Sequence, residues 1–270
     1  MGERQRGFPR AADALAELLW PTRCVGCDMP GELLCEECRA ALPWIAQRWA
    51  CPVCGAPFGW LTCTACDRSR ACVDSFPRAD RPSPCSEPDA AALNRWPCRT
   101  TICAFPFADA PAALVSLLKD GHELRIAPIM AAAMACALDE AAAWPALDKA
   151  ARYDERALDA LCFVPATAAA YARRGFDHME LVSRALSREL DLPLADVLVR
   201  RDARDQRALG RDARAENLAG TVTALDDVAG LSLLLVDDVV TTGASMAESA
   251  RALLARGAAS VTACAFARVW

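Results

Sequence analysis

The sequence lacks an excess of positive charge. Its 270 residues include 30 lysines and arginines against 35 acidic residues, which gives a formal net charge of -5. No global basic field can therefore hold a polyanion by charge alone, and any contact with nucleic acid must come from a local patch.

The sequence also lacks a long hydrophobic run. Alanine inflates the hydrophobic content of 54%, and the longest apolar stretch, residues 127–138, is short and consists mostly of small residues, unlike a membrane span. The first ten residues are basic, but Asp13 and Glu17 then interrupt the apolar region that a signal peptide would need. We therefore expect no membrane span and a cytoplasmic location.

Cysteine, in contrast, is abundant. The chain has 15 cysteines, which in a reducing compartment serve as metal ligands or buried thiols more often than as disulfides. Eight of them form four C-x-x-C pairs: Cys24 and Cys27, Cys35 and Cys38, Cys51 and Cys54, and Cys63 and Cys66. This spacing lets two thiolates from one tight turn bind the same tetrahedral Zn²⁺. We predict two four-cysteine zinc sites, with either sequential or crossed sharing of the pairs.

These zinc sites should be structural. Four sulfur ligands leave no open position for water, so the ions would support folding rather than catalysis. A redox role for a C-x-x-C pair would need a thioredoxin-like βαβ pattern, which this region lacks. Of the remaining cysteines, Cys136, Cys162 and Cys264 lie in apolar contexts and are predicted to pack in a core.

The composition divides the chain into three parts. Residues 1–72 form a zinc-binding domain with a short N-terminal helix, and residues 73–100, rich in Pro, Ser and Arg, form a linker or insertion. From residue 101 to 270, short apolar strands alternate with amphipathic helices. This pattern predicts an α/β fold with a mostly parallel sheet flanked by helices.

Several elements of the α/β part can be predicted individually. We predict strands over residues 101–107, 161–164, 231–236 and 260–266, and helices over residues 112–118, 129–143 and 246–256. Another helix should begin at Asp177, a candidate N-cap that is followed three residues later by Glu180. Residues 200–217, with six arginines, are predicted to form a long loop.

A turn after the third strand has the features of an anion site. Asp237 and Asp238 follow the apolar run, and the turn Thr241, Thr242, Gly243, Ala244 and Ser245 then opens a helix. Free N–H groups at a helix N-terminus, hydroxyl side chains and a glycine that permits close approach can bind a phosphate. The two carboxylates can accept hydrogen bonds from sugar hydroxyls. Simple capping of the strand and the helix is the alternative interpretation.

The run VDDVVTTGAS resembles the fingerprint of type I phosphoribosyltransferases, and the whole chain resembles the ComF family, which joins a cysteine-rich zinc domain to such a fold. LLKDGHELRIAP resembles that family's Leu-Lys-Tyr-x-Gly segment. VPATAAAYARRGFDH resembles its Val-Pro segment ending in Arg-Gly-Phe-Asn-Gln, and residues 200–217 resemble its arginine-bearing loop. The resemblance covers nearly all of the chain except roughly residues 77–97.

The resemblance implies roles for these residues. Asp237 and Asp238 would bind the ribose hydroxyls, directly or through Mg²⁺, and the turn from Thr241 to Ser245 would hold the 5-phosphate of a PRPP-type ligand. Arg173 and Arg174 would approach a pyrophosphate, and residues 200–217 would close over the site.

Three positions depart from the family pattern. Asp120 replaces the usual Tyr, and Asp177 with His178 replaces the usual Asn-Gln pair, which changes the pyrophosphate side of the site. Thr241 stands where purine-salvage transferases typically have an Asp that serves the base, which argues against purine salvage.

Two functions are consistent with these features. The first is a binding protein of natural competence that handles incoming single-stranded DNA together with DNA-uptake proteins. The second is an active phosphoribosyltransferase that uses PRPP and Mg²⁺ with an unidentified acceptor.

Overall fold

A computed structural model of the chain describes residues 21–59, 63, 96–143, 153–200 and 221–270. The chain divides into two compact units between Leu42 and Pro43. The larger unit therefore includes Cys51, Cys54 and Cys63 as well as the α/β fold. The predicted N-terminal helix, the predicted boundary at residue 72 and most of the predicted linker lie outside the described residues.

The elements, in chain order, are as follows. Helix α1 is Glu36–Ala40, strand β1 Thr101–Pro106, helix α2 Asp109–Lys119, helix α3 Ile126–Ala143, strand β2 Ala160–Phe163, helix α4 Ala168–Arg174, helix α5 His178–Leu190, strand β3 Leu198–Arg200, strand β4 Val222–Ala224, strand β5 Ser232–Val240, helix α6 Ala244–Ala255 and strand β6 Ser260–Arg268. A short 3-10 helix, Glu155–Ala157, precedes β2.

The central sheet has four strands in the order β1-β6-β5-β2, and every neighbouring pair is parallel. Strands β3 and β4 form a separate antiparallel pair. The predicted fold class, an α/β fold with a mostly parallel sheet flanked by helices, is therefore confirmed. The unit β5-α6-β6 is the predicted βαβ crossover, because its two strands are parallel neighbours.

Strand β5 is buried on both faces. Leu233 and Leu235 belong to a core cluster that also contains Met246 of α6. Leu234 and Val236 are equally buried and alternate to the opposite face, where α5 contacts β5. Because side chains alternate along a strand, Asp237 continues the first row and Asp238 the second. The two carboxylates therefore point to opposite faces of the sheet.

Helix α3 lies in the core of the larger unit. It packs against β1, β6 and α5. Within the described part of the chain, α3 is the one helix long and apolar enough to cross a membrane by length and composition, and half of it is buried inside the structure. The core helix of a soluble protein meets the same criteria of length and composition, so α3 is weak evidence for a membrane span.

Several details differ from the sequence-based predictions. Strand β5 continues to Val240, so the two acids lie within the strand rather than after it, because pairing with β6 extends that far. Arg200 ends β3 instead of beginning a loop, and residues 201–217 of the predicted loop lie outside the described residues. Cys162 and Cys264 are buried as predicted, but Cys136 is exposed because it lies on the outward side of α3.

Candidate functional site

The first cysteine cluster fits one zinc ion. The Sγ atoms of Cys24, Cys27, Cys35 and Cys38 all lie within 4.8 Å of one another. Sγ of Cys35 is 3.6 Å from that of Cys24 and 3.7 Å from that of Cys27. A tetrahedral zinc with Zn–S bonds of about 2.3 Å needs S···S distances of about 3.8 Å. The geometry supports a structural zinc.

One thiol of this cluster, that of Cys24, has a lowered pKa. Burial opposes loss of the Cys24 proton, but hydrogen bonds from the backbone N–H groups of Cys35, Cys27 and Gly26 outweigh it and lower the pKa of Cys24 to about 6. The N–H of Cys35 lies 3.4 Å from Sγ of Cys24. Because zinc binds thiolates, this polarisation favours metal binding.

The second cluster contains Cys51, Cys54 and Cys63, whose Sγ atoms also lie within 4.8 Å of one another. Sγ of Cys54 and Sγ of Cys63 are 3.6 Å apart. The predicted fourth ligand, Cys66, lies outside the described residues. Since the first two pairs form one cluster and the third pair groups with Cys63, the described cysteines group sequentially along the chain and not in a crossed arrangement.

The phosphate turn, which we define as residues 241–245, connects β5 to α6. Gly243 is the N-cap residue of α6, has a φ of 80° and makes no side-chain cap hydrogen bond. Oγ1 of Thr242 accepts weakly from the N–H of Ala244 at 3.4 Å, and both threonines of the turn are exposed. The helix thus begins without a side chain that satisfies its first amides, as an anion site requires.

The space beside Gly243 is filled by an aromatic ring. A Cβ on Gly243 would lie 2.5 Å from the Cη2 and Cζ3 atoms of Trp96. From the sequence, the absence of a side chain at Gly243 was expected to permit close approach of a phosphate. The structure shows that it makes room for the indole of Trp96, together with the left-handed φ that favours glycine.

Asp238 is held by two side chains. It is only 4% exposed, and its Oδ2 accepts a hydrogen bond from Nε2 of His178 at 2.7 Å and forms an ion pair with the ammonium of Lys119. Its Oδ1 accepts from the N–H of Val239 at 2.6 Å. Burial opposes ionisation, but the hydrogen bond from His178 and the charge of Lys119 outweigh it, so the pKa of Asp238 is lowered.

The contacts of His178 define its tautomer. Nη1 of Arg174 lies 3.1 Å from Nδ1 of His178. Because a guanidinium can only donate, Nδ1 must be the unprotonated nitrogen, and the proton on Nε2 is donated to Asp238. Arg174, His178, Asp238 and Lys119 thus form one continuous polar chain across the carboxyl end of the sheet.

Asp237 has the opposite character. It is half-buried on the α6 side of the sheet, and its Oδ1 accepts the backbone N–H of Asp238 at 2.9 Å. Burial and the negative charge of Asp238 raise the pKa of Asp237 well above its usual range. Of the two carboxylates, Asp237 is therefore the one whose ionised form would be stabilised more by a hydrogen-bond donor of a ligand or by a cation.

The two predicted pyrophosphate residues are not equivalent. Arg174 is half-buried and contacts His178, so it belongs to the polar chain around Asp238. Arg173 is exposed, and its nearest acid is Asp120, with 3.9 Å between Nη2 and Oδ1. At this exposure such a pair contributes little to stability, and Arg173 is available to an anion.

A cavity of about 360 Å³ opens beside the end of β2. Its walls include Phe163, Tyr171, Asp196 and Arg200. Nε and Nη2 of Arg200 are buried and have no hydrogen-bond partner within the described parts of the chain. Burial and the neighbouring carboxylates of Glu180 and Asp177 raise the pKa of Asp196. The cavity thus offers aromatic walls, a hydrogen-bond donor and a carboxyl group to a small polar ligand.

Sequence reasoning missed four residues of this region. Lys119 was not assigned a role, His178 was named only as a departure from the family's Asn-Gln pair, and Trp96 and Arg268 were not singled out. Lys119 and His178 both lie in segments that match the ComF pattern, so that match was the available signal. Trp96 and Arg268 carry no local motif, because their partners are distant in sequence.

Comparisons with known proteins agree with this architecture. A family model described as a double zinc ribbon domain matches residues 15–76, and a model described as a phosphoribosyl transferase domain matches residues 179–269. The second match contains β5, the phosphate turn, α6 and β6. The first match contains all eight cysteines of the C-x-x-C pairs.

Relatives match over part of the chain. The DNA utilization protein YhgH of Escherichia coli (strain K12) is 36% identical over 105 residues, which are 38% of this chain and 46% of that protein. YhgH of Salmonella typhi is 34% identical over 105 residues, which cover the same fractions of the two chains. A ribose-phosphate pyrophosphokinase of Agrobacterium fabrum is 38% identical over 81 residues, 30% of this chain and 22% of that enzyme. The match thus spans just under half the length of the YhgH proteins.

These findings define the class: the chain joins a double zinc ribbon domain to an α/β domain of the type I phosphoribosyltransferase fold. The pairing of these two domain matches, together with a relative named as a DNA utilization protein, is consistent with the resemblance of the sequence to the ComF family.

Proposed function

We propose that the phosphate turn binds the 5-phosphate of a PRPP-type ribose-phosphate ligand. The observation that supports this function most directly is the start of α6, where the N-cap residue Gly243 offers no side chain to the helix and two exposed threonines directly precede it. The positive end of the helix dipole and the free amides favour a dianionic phosphate there.

Asp237 and Asp238 would have different roles toward the ribose. Asp237 would accept a hydrogen bond from a ribose hydroxyl. Asp238, already held by Lys119 and His178, would orient those two side chains toward the ligand. Carboxylate oxygens suit Mg²⁺, which is usually held by one or two carboxylates and the phosphates of the substrate. Asp237 is the residue that would hold Mg²⁺, and the ion would supply charge neutralisation for the diphosphate.

Calorimetric titration with PRPP and Mg²⁺ tests this proposal. We expect saturable binding to the parent protein and a loss of at least about tenfold in affinity for Asp237→Asn, since hydrogen bonds to charged groups contribute about 1.5–3 kcal/mol. Asp226→Asn is the matched control, because Asp226 belongs to a second Asp-Asp pair that is exposed and precedes β5. Equal affinities of the parent and the Asp237→Asn variant would refute the site.

We further propose that the protein acts in the cytoplasm, in natural competence, where it handles single-stranded DNA delivered by DNA-uptake proteins. The name of the YhgH relatives supports a role in the use of DNA. An exposed aromatic pair supports contact with unpaired bases: Phe58 is 74% and Trp270 63% exposed, with ring centroids 6.4 Å apart. Trp270 follows Val269, whose N–H bonds to Val240 just before the phosphate turn.

Binding of a fluorescent oligothymidine across salt concentrations tests the DNA proposal. Stacking of one base on an aromatic side chain contributes about 1–3 kcal/mol, so we expect the Phe58→Ala/Trp270→Ala variant to bind at least about fivefold more weakly. Leu225→Ala is the control, because Leu225 is an exposed apolar residue at the end of β4. An equal loss of affinity for oligothymidine in Leu225→Ala would rule out a specific role of Phe58 and Trp270 in DNA binding.

The alternative function is an active phosphoribosyltransferase with an unidentified acceptor. The cavity beside β2 supports it, because Arg200 and Asp196 could fix the polar edge of an acceptor against Phe163 and Tyr171. Release of pyrophosphate from PRPP, measured with a panel of nucleobases and small amines, tests this function. An acceptor-dependent rate that Tyr171→Ala abolishes would favour catalysis, and absence of release with every acceptor would favour binding alone.

A further inference from the structure

The second cysteine cluster is bonded to the edge of the central sheet. The carbonyl of Pro52 accepts hydrogen bonds from the N–H of Thr101 at 3.1 Å and from the hydroxyl of Thr100 at 2.8 Å. The N–H of Ile45 donates to the carbonyl of Ala104 at 2.8 Å. The cysteine turn, which we define as residues 51–54, is therefore bonded through its backbone directly to the amino-terminal part of β1.

Arg268 connects this cluster to the phosphate turn. Its side chain lies at the end of β6, and the residue is only 6% exposed. Nε donates to the carbonyl of the cluster residue Cys54 at 3.0 Å, while Nη1 donates to the carbonyl of Val240 at 3.0 Å and also to that of Thr241. One planar guanidinium thus joins a predicted zinc ligand to the first residue of the turn, and a buried guanidinium needs such acceptors.

Trp96 provides a second connection between the second cysteine cluster and the phosphate turn. Its Nε1 donates to the hydroxyl of Thr101 at 2.9 Å, and that hydroxyl donates to the carbonyl of Val53 at 2.6 Å. Its six-membered ring packs on Gly243. The carbonyls of Val53 and Cys54 are adjacent in the cysteine turn, so both connections start from one short segment of the predicted zinc site.

We propose that Arg268 and Trp96 are positioning residues through which the second zinc site holds the phosphate turn in its ligand-binding conformation. This inference rests on the proposed ribose-phosphate function. Without metal, the turn from Cys51 to Cys54 loses its constraint, the acceptors of Arg268 and Thr101 move, and the phosphate turn populates other conformations. Apparent affinity then falls in proportion to the competent fraction. The first cluster belongs to the other compact unit, and its metal does not affect the turn.

Four single variants of the full chain test this proposal. Cys54→Ser removes a ligand of the second cluster, and Cys35→Ser removes one of the first cluster as the matched control. Arg268→Lys keeps the charge but loses the planar fork, and Trp96→Phe keeps a ring on Gly243 but loses the indole N–H. Zinc content, affinity for PRPP with Mg²⁺ and hydrogen exchange of two hydrogen-bonded amides beside the turn are measured for each: the N–H of Ala247, which donates to Gly243, and the N–H of Val269, which donates to Val240.

We expect Cys54→Ser and Arg268→Lys to weaken PRPP binding at least about tenfold and to speed exchange of the Ala247 and Val269 amides in the free protein by a similar factor. Trp96→Phe should produce a smaller loss of about two- to threefold. Arg268→Lys should keep both zinc ions, so its effect cannot be due to metal loss. Cys35→Ser should lose one zinc and keep parental affinity and exchange.

Two results would overturn the proposal. One is parental exchange of the Ala247 and Val269 amides in both Cys54→Ser and Arg268→Lys, and the other is an equal effect of Cys35→Ser. If Cys54→Ser does not fold, Arg268→Lys and Trp96→Phe decide the outcome. If the parent protein binds no PRPP, the ribose-phosphate function fails, but the exchange rates of the unliganded protein still test the coupling between the second cluster and the turn.

Discussion

At the scale of single residues, the two adjacent acids of β5 have different tasks. The sequence predicts both as ribose ligands but does not distinguish them, because their difference comes from strand alternation and from partners far away in the chain. Asp238 faces Lys119 and His178, which are 119 and 60 residues away from it, respectively. Asp237 faces the α6 side and carries a carboxyl group that burial keeps from ionising easily.

Asp238→Asn should destabilise the protein strongly. Removing one partner of a buried ion pair typically costs about 3–5 kcal/mol, because Lys119 would then be left without its counter-charge. Since the folded pKa of Asp238 is lowered, its contribution to stability is present above the unfolded value of about 3.9 and is lost as the pH falls below it. Chemical denaturation between pH 3 and pH 7 measures this, and a pH-independent difference from the parent protein would contradict it.

Asp237→Asn should leave the free energy of unfolding unchanged or raise it by on the order of 1 kcal/mol at pH 7. The folded pKa of Asp237 is raised, so the folded state binds the proton more tightly, and parental stability falls as the pH rises from about 4 through the raised pKa. The advantage of the variant should therefore shrink toward pH 4. Urea denaturation at both pH values checks the sign, and a variant that is less stable at pH 7 than at pH 4, relative to the parent, would refute it.

At the scale of elements, the unit β5-α6-β6 was the most predictable part of the fold. A continuous apolar run, a turn with glycine and an amphipathic helix are local signals, and each predicted element exists. The extension of β5 to Val240 was not predictable from these signals, because Asp237 and Asp238 look like the polar end of a strand. Pairing with β6 as far as Arg268 keeps them in the sheet. Helix α4 was missed because its alanines carry no amphipathic pattern.

Gly243→Ala should destabilise the start of α6 more than an ordinary substitution in a turn. The alanine must adopt a φ of 80° and its Cβ would meet the Trp96 ring at 2.5 Å. Gly230→Ala is the matched control, since Gly230 has a φ of 76° but open space around it. We expect Gly230→Ala to cost about 1 kcal/mol and Gly243→Ala at least about 1–3 kcal/mol more. Thermal denaturation of both variants, with Trp96→Ala added as a double mutant, checks whether the excess comes from the ring.

At the scale of the whole molecule, the cysteine-rich region is divided between two units. The four C-x-x-C pairs predicted two metal sites without showing where each one packs. Residues 43–59 bond to β1 through main-chain groups, as with Ile45 and Ala104, and main-chain bonds leave no signature in side-chain patterns. The predicted boundary at residue 72, which follows the last cysteine pair, lies outside the described residues, and the described chain divides into its two compact units between Leu42 and Pro43.

The purified protein should contain about two equivalents of zinc per chain, because the first cluster brings four cysteines together and the second brings together three of its four predicted ligands. Chelation should release both ions and expose the thiols of the C-x-x-C pairs, while the sheet core around β5 keeps its protection from hydrogen exchange. Elemental analysis together with thiol titration measures this. A metal-free protein with its thiols free and its fold unchanged would contradict structural zinc.

In the proposed binding mode, the amides of the phosphate turn receive the phosphate of a ribose-phosphate ligand. The most direct measurement is the change in the ¹H–¹⁵N resonances of Thr241, Thr242, Gly243, Ala244 and Ser245 while PRPP and Mg²⁺ are added. We predict that these five amides shift most, saturate together and stop responding in the Asp237→Asn variant. Saturation of shifts elsewhere, with these five resonances unmoved, would contradict the account.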